Sequence, residues 1–324
     1  MNHPVDSVPL RWPRVSILVV GSINMDLVAR CPRIPAPGET ILGSDFTRSP
    51  GGKGANGATA AARLLSARMG GRVAMLGAVG QDDHGAALVR NLGARGVDTE
   101  RVQRLDGVPT GVALIAVADD GENSIVVVPG ANGRLRPEHV EAGLPALSPA
   151  VVLMQMEIPP ETVERAAALG RQMGAHVLLD PAPAPATLPA GLLRNVDVLL
   201  PNEGELAMLA GMPVESVEEA TQAAAALRGR GVGTVVVKRG NQGALVVDER
   251  GARAVPTLRV AVVDTTGAGD CFDAALAVAL AESRSIDEAV RFATHAAALA
   301  CTRLGAQSAQ PERAEVEEAV GRMQ

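Results

Sequence analysis

The sequence has very few aromatic side chains, with three Phe, one Trp and no Tyr among its 324 residues. Proteins bind single-stranded nucleic acid largely by stacking bases on such rings, so this scarcity argues against that mode of binding. Blocks of Lys and Arg are also lacking, and the net charge of −6 further disfavours nucleic acid. No apolar run reaches the roughly 18 residues of a membrane span. We therefore expect neither nucleic acid nor a membrane as a partner.

Cysteine is scarce, and Cys31, Cys271 and Cys301 lie far apart in the chain. An odd number of cysteines at this spacing matches no metal-binding pattern and indicates free thiols in a reducing compartment. Residues 1–14 contain no apolar stretch that could serve as a signal peptide. These features predict a cytoplasmic protein. Because aromatics are rare, Val, Leu and Ala must fill the core.

The strongest functional signal is the stretch VDTTGAGDCFDAAL at residues 263–276. Val260–Val263 is predicted to form a strand, and the apolar spacing after Asp270 predicts a helix. Gly267 and Gly269 would then lie at the helix N-terminus, where backbone N–H groups attract an anion. Asp270 beside such an anion could accept a hydroxyl proton during phosphoryl transfer. The alternative is a glycine turn followed by an ordinary N-terminal Asp.

Short apolar runs alternate with helical segments over much of the chain. This alternation predicts an α/β fold with a doubly wound, mostly parallel sheet that is flanked by helices. Two helix-free segments, 27–50 and 109–128, are predicted to pair as a small β layer beside the main domain. The main domain would comprise residues 15–26, 51–108 and 129–312. Its predicted strands are Val15–Val20, Arg72–Gly80, Val151–Met156, His176–Leu179, Val196–Leu200, Thr234–Lys238 and Ala244–Val247.

Polar residues recur just after the predicted strands, at the edge where parallel α/β sheets bind ligands. Each residue alone could serve a cap or a turn, but their repetition on one edge favours a binding site. The residues are Asn24, Asp26, Glu157, Asp180, and the Asn202–Glu205 stretch.

A second glycine-rich loop, Gly51–Gly57, precedes a helix that is predicted to span Ala58–Arg68. The loop formally matches a dinucleotide fingerprint, but it does not follow the first strand of a βαβ unit. We expect Lys53 and Asn56 to point into a polar site instead. Asp82, further along, is predicted to cap a helix.

Six short motifs follow one another along the chain: GSINMD at 21–26, PGET at 37–40, GGKGAN at 51–56, PNE at 201–203, DTTGAGD at 264–270 and RLGAQ at 303–307. Together they make the chain resemble the ribokinase-like sugar kinases from about residue 17 to residue 311. The resemblance implies a ribokinase-like fold in which the small β layer is a lid over the sugar and forms the contact of a homodimer. It also implies transfer of the γ-phosphoryl group of ATP to the 5-hydroxyl of D-ribose, with Mg²⁺ and K⁺, giving D-ribose 5-phosphate.

By position, the resemblance also implies roles for single residues. Asp270 would be the catalytic base, and Gly267, Ala268 and Gly269 would form the anion hole. The sugar would contact Asn24, Asp26, Gly52, Lys53, Asn56, Glu157 and Asp270. The nucleotide would contact Asn202, Lys238, Gly240, Gly243, Gly269 and Thr294. A monovalent cation would be held by Asp264, Thr266, Ala300, Arg303, Gly305 and Ala309, and Glu205 would serve Mg²⁺ indirectly.

Three positions depart from the family pattern. Lys238 stands where the family often has a small hydroxyl residue, and Cys271-Phe272-Asp273 follows the signature where Thr-Phe-Asn is more usual. Ser308-Ala309 replaces the usual Pro-Ser near the cation loop. A sister kinase for fructose, deoxyribose or a nucleoside would use the same catalytic residues. A non-catalytic sugar-binding regulator could be built on the same fold.

Overall fold

A computed structural model describes residues 15–65 and 71–322 of the chain. In these ranges the strands are β1 (Val15–Val20), β2 (Asn24–Cys31), β3 (Asp45–Gly51), β4 (Arg72–Gly80), β5 (Val97–Leu105), β6 (Gly111–Ala118), β7 (Asn123–Val128), β8 (Val151–Gln155), β9 (His176–Asp180), β10 (Val198–Leu199), β11 (Thr234–Lys238), β12 (Ala244–Asp248) and β13 (Gly251–Val255). The helices are α1 (Lys53–Leu64), α2 (Asp83–Ala94), α3 (Pro137–Leu147), α4 (Pro160–Gln172), α5 (Ala190–Leu193), α6 (Glu203–Ala210), α7 (Val217–Gly229), α8 (Ala268–Ala281), α9 (Ile286–Ala300) and α10 (Arg313–Gly321).

The larger sheet has the strand order β13-β12-β11-β10-β9-β8-β1-β4-β5 over the described residues. Neighbouring strands run parallel, except that β12 is antiparallel to both β11 and β13. The predicted doubly wound, mostly parallel α/β fold is therefore confirmed. Among the described helices, none combines the length and the hydrophobicity that a membrane span requires.

The centre of the sheet is apolar on both faces because helices cover both of them. In β1, Ile17 and Val19 join a core layer with residues of α1, α8 and α9. Leu18 and Val20 point the other way, into a layer with residues of α3, α4 and α7. Successive side chains of a strand alternate between faces, so a continuous apolar run is what a strand buried on both faces requires.

A second, smaller sheet has the order β3-β2-β6-β7. At one end of this sheet, Asn24 pairs with Gly51 of β3 on one side and with Gly111 of β6 on the other. Strands β2 and β6 begin in this row of paired residues and β3 ends in it, so three chain connections to the larger sheet meet there. The predicted hairpin at 119–122 is present, since β6 and β7 pair antiparallel on either side of it. The paired residues Leu114 and Val126 leave an apolar surface exposed on one face of this sheet, and Ile125 is exposed on the other face.

The strand predicted at Val260–Val263 is wrong, because this segment has no regular structure. Val262 and Val263 are 63% and 55% exposed. The segment follows the edge strand β13, and the N–H group of Val263 donates instead to the carbonyl of Cys301 at 2.8 Å. A β-branched run needs a neighbouring strand to become part of a sheet, and the described residues supply none here.

Other boundaries differ less. The helix predicted from Ala58 begins earlier, at Lys53, and its predicted end at Arg68 lies outside the described residues, as does segment 1–14. Asp82 caps α2 as predicted, since its carboxylate accepts the N–H of Gly85 at 2.8 Å. Five of the described elements were not predicted from the sequence: β5, β13, α3, α5 and α10.

Candidate active site

The N-terminus of α8 is formed by the predicted glycine turn. Gly267 is the residue before the helix and has φ 74°, a left-handed conformation that favours glycine. A Cβ atom there would also lie only 3.0 Å from Ala306, so the packing leaves no room for a side chain. The N–H of Ala268 donates to the carbonyl of Thr265 at 3.2 Å. The start of a helix carries a partial positive charge, and this end therefore suits an anion.

Asp264 fixes this turn to a second loop. One carboxylate oxygen accepts both the N–H of Thr266 at 2.9 Å and its hydroxyl at 2.6 Å. The other oxygen accepts the N–H of Gly305 at 2.8 Å. Burial would raise the pKa of Asp264, but these hydrogen bonds hold it below its usual range. The two loops are thus joined by a charged group directly behind the helix start.

Asp270 is buried in the first turn of α8 and faces α1. Its Oδ2 accepts a hydrogen bond from Nδ2 of Asn56 at 2.8 Å, and its Oδ1 lies 3.8 Å from Nζ of Lys53. Lys53 and Asn56 are three residues apart near the start of α1, so both side chains project from the same face of that helix. The structure therefore brings the predicted base together with both of these residues.

Glu157 approaches the same place after the end of β8. Its Oε2 accepts the hydroxyl of Ser22 at 2.5 Å and the backbone N–H of Lys53 at 3.2 Å. Burial raises the pKa of Glu157, although the Ser22 bond and the Lys53 charge oppose that rise.

Asn24 and Asp26, at the start of β2, complete this polar recess. Nδ2 of Asn132 donates to Oδ1 of Asn24 at 2.7 Å and holds that amide in place. Burial, together with the nearby carboxylates of Glu157 and Asp270, raises the pKa of Asp26 to about 7. Gly52, with φ 87°, passes so close that a Cβ would lie 2.7 Å from the backbone nitrogen of Asn24.

Five buried or half-buried charged groups alternate in sign across the site, and we call them the charge chain. It begins at Asp270 and continues through Lys53, whose Nζ is 3.6 Å from Asp180. Asp180, at the end of β9, is 3.4 Å from Nζ of Lys238, which is 3.2 Å from Asp273. Asp273, the last group of the charge chain, lies in α8 three residues after Asp270, the first group.

Burial and charge act in opposite directions on the pKa values of these groups. Burial alone would lower the pKa of Lys238, but Asp180 and Asp273 raise it to about 12. Burial alone would raise the pKa of Asp180, but Lys238 and then Lys53 hold it below its usual range. The pKa of Asp273 is raised because burial outweighs the attraction of its one lysine.

A cavity of about 780 Å³ opens on the other side of the α8 N-terminus. Its wall includes Lys238, Ala268 and Gly269, together with apolar residues such as Val260 and Ala297. Of the predicted nucleotide residues, the cavity is lined by Lys238, Gly240, Gly243, Gly269 and Thr294.

Asn202 is not among the residues lining the cavity, but it lies beside Lys238 through an isolated β-bridge. Its side chain caps α6 by accepting the N–H of Glu205 at 2.8 Å, and Glu205 in turn accepts the N–H of Asn202 at 2.9 Å. Burial, followed by the charge of Asp180, raises the pKa of Glu205.

Only some of the residues predicted to hold a monovalent cation contact one another. Asp264, Thr266 and Gly305 are joined as described above. The carbonyl of Ala300, the last residue of α9, accepts the N–H of Arg303 at 3.4 Å, while the Arg303 side chain turns outward to Glu315. Ala309 is buried further along the loop. Across the described residues, no cluster of three or more His, Cys, Asp or Glu could hold a metal ion.

Sequence reasoning did not assign roles to several residues that the structure places in the site. Asp180 was predicted only as a strand-end residue, and Asp273 only as a departure from the family pattern, although its spacing of three residues from Asp270 could have indicated the same helix face. The contacts of Ser22, Asn132 and Gln307 were not predictable in this way, because their partners are 135, 109 and 251 residues away in the chain.

A helix N-terminus that suits an anion, a buried carboxylate beside it, a polar recess and an adjoining cavity together define a small-molecule kinase. The family model for the pfkB family carbohydrate kinases matches residues 15–313, and the chain belongs to this family.

The similarity extends over nearly the full length of known relatives. The chain is 40% identical to a ribokinase of Bacillus subtilis, covering 94% of this chain and 98% of that one. It is 37% identical to a deoxyribokinase of Salmonella typhi, covering 92% and 96%. The solved structure of an Arabidopsis thaliana ribokinase complexed with ribose and ATP matches with a TM-score of 0.85 and 35% identity, covering 95% of this chain and 99% of that one.

Proposed function

We propose that the chain is a ribokinase that transfers the γ-phosphoryl group of ATP to the 5-hydroxyl of D-ribose, giving D-ribose 5-phosphate. The observation that carries the proposal is the position of the α8 N-terminus between two spaces. Gly269 lines the large cavity, whereas Asp270, the next residue, contacts Asn56 and Lys53 in the polar recess. A ribokinase with ribose and ATP bound is a close structural neighbour and supports the choice of both substrates.

In the proposed reaction, the oxygen of the sugar 5-hydroxyl forms a bond to the γ-phosphorus, and Asp270 accepts the proton of that hydroxyl. The bond from that phosphorus to the bridging oxygen breaks, and ADP leaves with the electron pair. The turn at Gly267, Ala268 and Gly269 stabilises the charge on the transferring group through its N–H groups and the helix dipole. Catalysis of this kind rests mainly on positioning and charge neutralisation.

Sugar binding is assigned to the polar recess. Asn24, Asp26, Gly52, Lys53, Asn56 and Glu157 would bind the hydroxyl groups, as this set offers both donors and carboxylate acceptors. The nucleotide is assigned to the large cavity, with its phosphates toward Lys238 and Gly269, and with Asn202 beside Lys238. Placing the phosphates against the apolar residues of the cavity would be chemically unfavourable.

Two cations belong to the proposal. Glu205 and Asn202 present oxygen atoms of the kind that Mg²⁺ prefers, and Glu205 would act on it indirectly. The loops of Asp264 and Gly305 offer a carboxylate and backbone carbonyls, a donor set that fits potassium. Thr266, Ala300, Arg303 and Ala309 would complete that set. Mg²⁺ would neutralise phosphate charge, and potassium would steady the α8 turn.

The smaller sheet is proposed as a lid, formed by residues 27–50 and 109–128, that covers the sugar and excludes water. Its exposed apolar pair, Leu114 and Val126, supports a homodimer through this face of the lid. Sedimentation would test this: Val126→Asp should convert a dimer into a monomer, and a wild-type monomer at high concentration would oppose the idea. The proposed compartment is the cytoplasm.

The main test is a phosphorylation assay with ATP across D-ribose, 2-deoxy-D-ribose, D-fructose and nucleosides. We expect the highest kcat/KM with D-ribose and D-ribose 5-phosphate as product. A higher kcat/KM with 2-deoxy-D-ribose would favour a deoxyribokinase, which the Salmonella typhi relative makes the second candidate. Sugar binding without turnover in the presence of ATP would indicate a non-catalytic regulator instead.

A further inference from the structure

Asp270 is the last member of a chain of side-chain hydrogen bonds that begins on another helix. Nδ2 of Asn56 donates to Asp270, and Oδ1 of the same Asn56 accepts from Nε2 of Gln307 at 3.1 Å. Both ends of the Asn56 amide are therefore occupied. Asn56 and Gln307 are both buried, at 6% and 3% exposure, so water offers no easy substitute for either bond.

The same chain continues to α2. Oε1 of Gln307 accepts from Nδ2 of Asn91 at 2.7 Å, and Oδ1 of Asn91 accepts from Nε of Arg95 at 3.2 Å. Arg95 also donates to the backbone carbonyl of Gln307 at 3.3 Å. Every bond in the sequence Arg95, Asn91, Gln307, Asn56, Asp270 thus donates in one direction, from the guanidinium toward the carboxylate.

A uniform direction has a physical consequence. Aligned amide dipoles reinforce one another, and a cation at one end with an anion at the other favours this alignment over its reverse. The Asn56 amide is held with its NH₂ group toward Asp270. One oxygen of Asp270 is then engaged, and the other is left to receive a proton.

We propose that Gln307 is a positioning residue for Asp270, acting through Asn56. This inference rests on the proposed role of Asp270 as the base. Gln307 lies in the loop that also carries Gly305 and Ala306, which contact Asp264 and Gly267. One loop therefore positions both the base and the turn that faces the phosphoryl group.

A role in loop folding alone is the competing explanation, and the same loop supplies a control for it. Gln310 is the same residue type and fully buried, but its Nε2 donates only within the loop, to the carbonyl of Ala306 at 2.7 Å. Ser308 also bonds within the loop, to the carbonyl of Leu304 at 2.7 Å. Gln310→Met should therefore disturb the loop without disturbing the chain to Asp270.

The experiment compares Gln307→Glu, Gln307→Met, Asn91→Asp and Gln310→Met, using the best sugar of the panel. Glu has the shape of Gln but cannot donate to Asn56 when ionised, so Gln307→Glu tests the direction of the chain. We expect its kcat to fall by about 10²-fold, as misplacement of a catalytic group does. The kcat of Gln307→Met should fall about tenfold and that of Asn91→Asp less, and in each variant KM for the sugar should change by a smaller factor than kcat.

Three kinds of result would overturn the proposal: kcat within twofold of wild type in Gln307→Glu, a loss no larger than that of Gln310→Met, or a loss confined to KM. A crystal structure of Gln307→Glu gives a readout that does not depend on turnover. The proposal requires the Asn56 Nδ2 to Asp270 contact to be lost, and its retention would also refute it. If wild type lacks activity on ribose but phosphorylates another sugar, the proposed function fails while this comparison remains decisive.

Discussion

Replacing Lys238 by Met should destabilise the fold, because it leaves Asp273 buried without an opposite charge. Nζ of Lys238 lies 3.2 Å from Asp273 and 3.4 Å from Asp180. At an effective dielectric constant of about 20, each contact corresponds to about 5 kcal/mol of attraction. Desolvation offsets much of this, and loss of one partner from a buried pair costs about 3–5 kcal/mol. We expect the free energy of unfolding to fall by about 3 kcal/mol or more.

Neutralising the other partner of the pair, by Asp273→Asn, should lower the free energy of unfolding much less. Asn has the same shape without the charge, and Lys238 keeps Asp180 as its partner. Burial raises the pKa of Asp273 and so offsets part of the stability that its charge contributes. We expect a loss of no more than about 1 kcal/mol for a neutral isostere whose neighbours stay paired. When Lys238 is already Met, Asp273→Asn should restore about 2 kcal/mol, since it removes the unpaired charge.

Urea unfolding of wild type, the two single variants and the double variant measures this coupling. The four midpoints and slopes should be determined at pH 7.5 without ligands. Unchanged slopes would show that the variants expose the same amount of surface on unfolding as wild type. Additive losses, with a coupling energy below about 0.5 kcal/mol, would mean that the two charges do not interact. That result would refute the proposed interaction between Lys238 and Asp273 in the charge chain.

Other predictions concern the proposed reaction. Asp270→Asn should lower kcat by about 10²-fold or more with a smaller effect on sugar KM, and near-normal turnover would exclude it as the base. Since the pKa of Asp26 rises from 3.8 to about 7 on folding, the folded protein binds more protons than the unfolded chain between these values. The free energy of unfolding should therefore fall as pH rises through this window. Asp26→Asn should make the dependence of this free energy on pH less steep, and an unchanged dependence in the variant would contradict the burial of Asp26. With Mg²⁺ fixed, potassium should raise kcat over a bulky organic cation, and equal rates would mean that no functional cation site exists. Hydrogen exchange in 27–50 and 109–128 should slow when the sugar binds, and unchanged protection would count against a lid.

The central strands could be predicted from sequence because their burial on both faces leaves a continuous apolar run. The predicted bounds of Val15–Val20 and Arg72–Gly80 are confirmed. The same criterion failed at Val260–Val263, where the residue types favour a strand but the fold supplies no neighbour. It also missed β5, an edge strand whose polar residues, as in VDTERVQRL, conceal the pattern.

The site could be predicted only as far as local rules extend. The rule that ligands bind beyond strand ends indicated Asn24, Glu157 and Asp180 without saying which residues would touch. The contact of Asp180 with Lys238 depends on the order β9-β10-β11, which the sequence does not state. Lys238 and Asp273 each departed from the family pattern, and the structure shows that the two departures contact each other.

The meeting of three chain connections in the row of Asn24, Gly51 and Gly111 makes that row a natural pivot. Displacement about a pivot grows with distance along the lever arm. Cys31 lies seven residues beyond Asn24 on β2, about 23 Å away at about 3.3 Å per residue. A rotation of roughly 10° would move Cys31 by about 4 Å but Asp26 by only about 1 Å over the same strand geometry. In the proposed lid movement, the tip of the small sheet would therefore swing widely, whereas the residues at its base that are proposed to face the sugar would move little relative to Asp270.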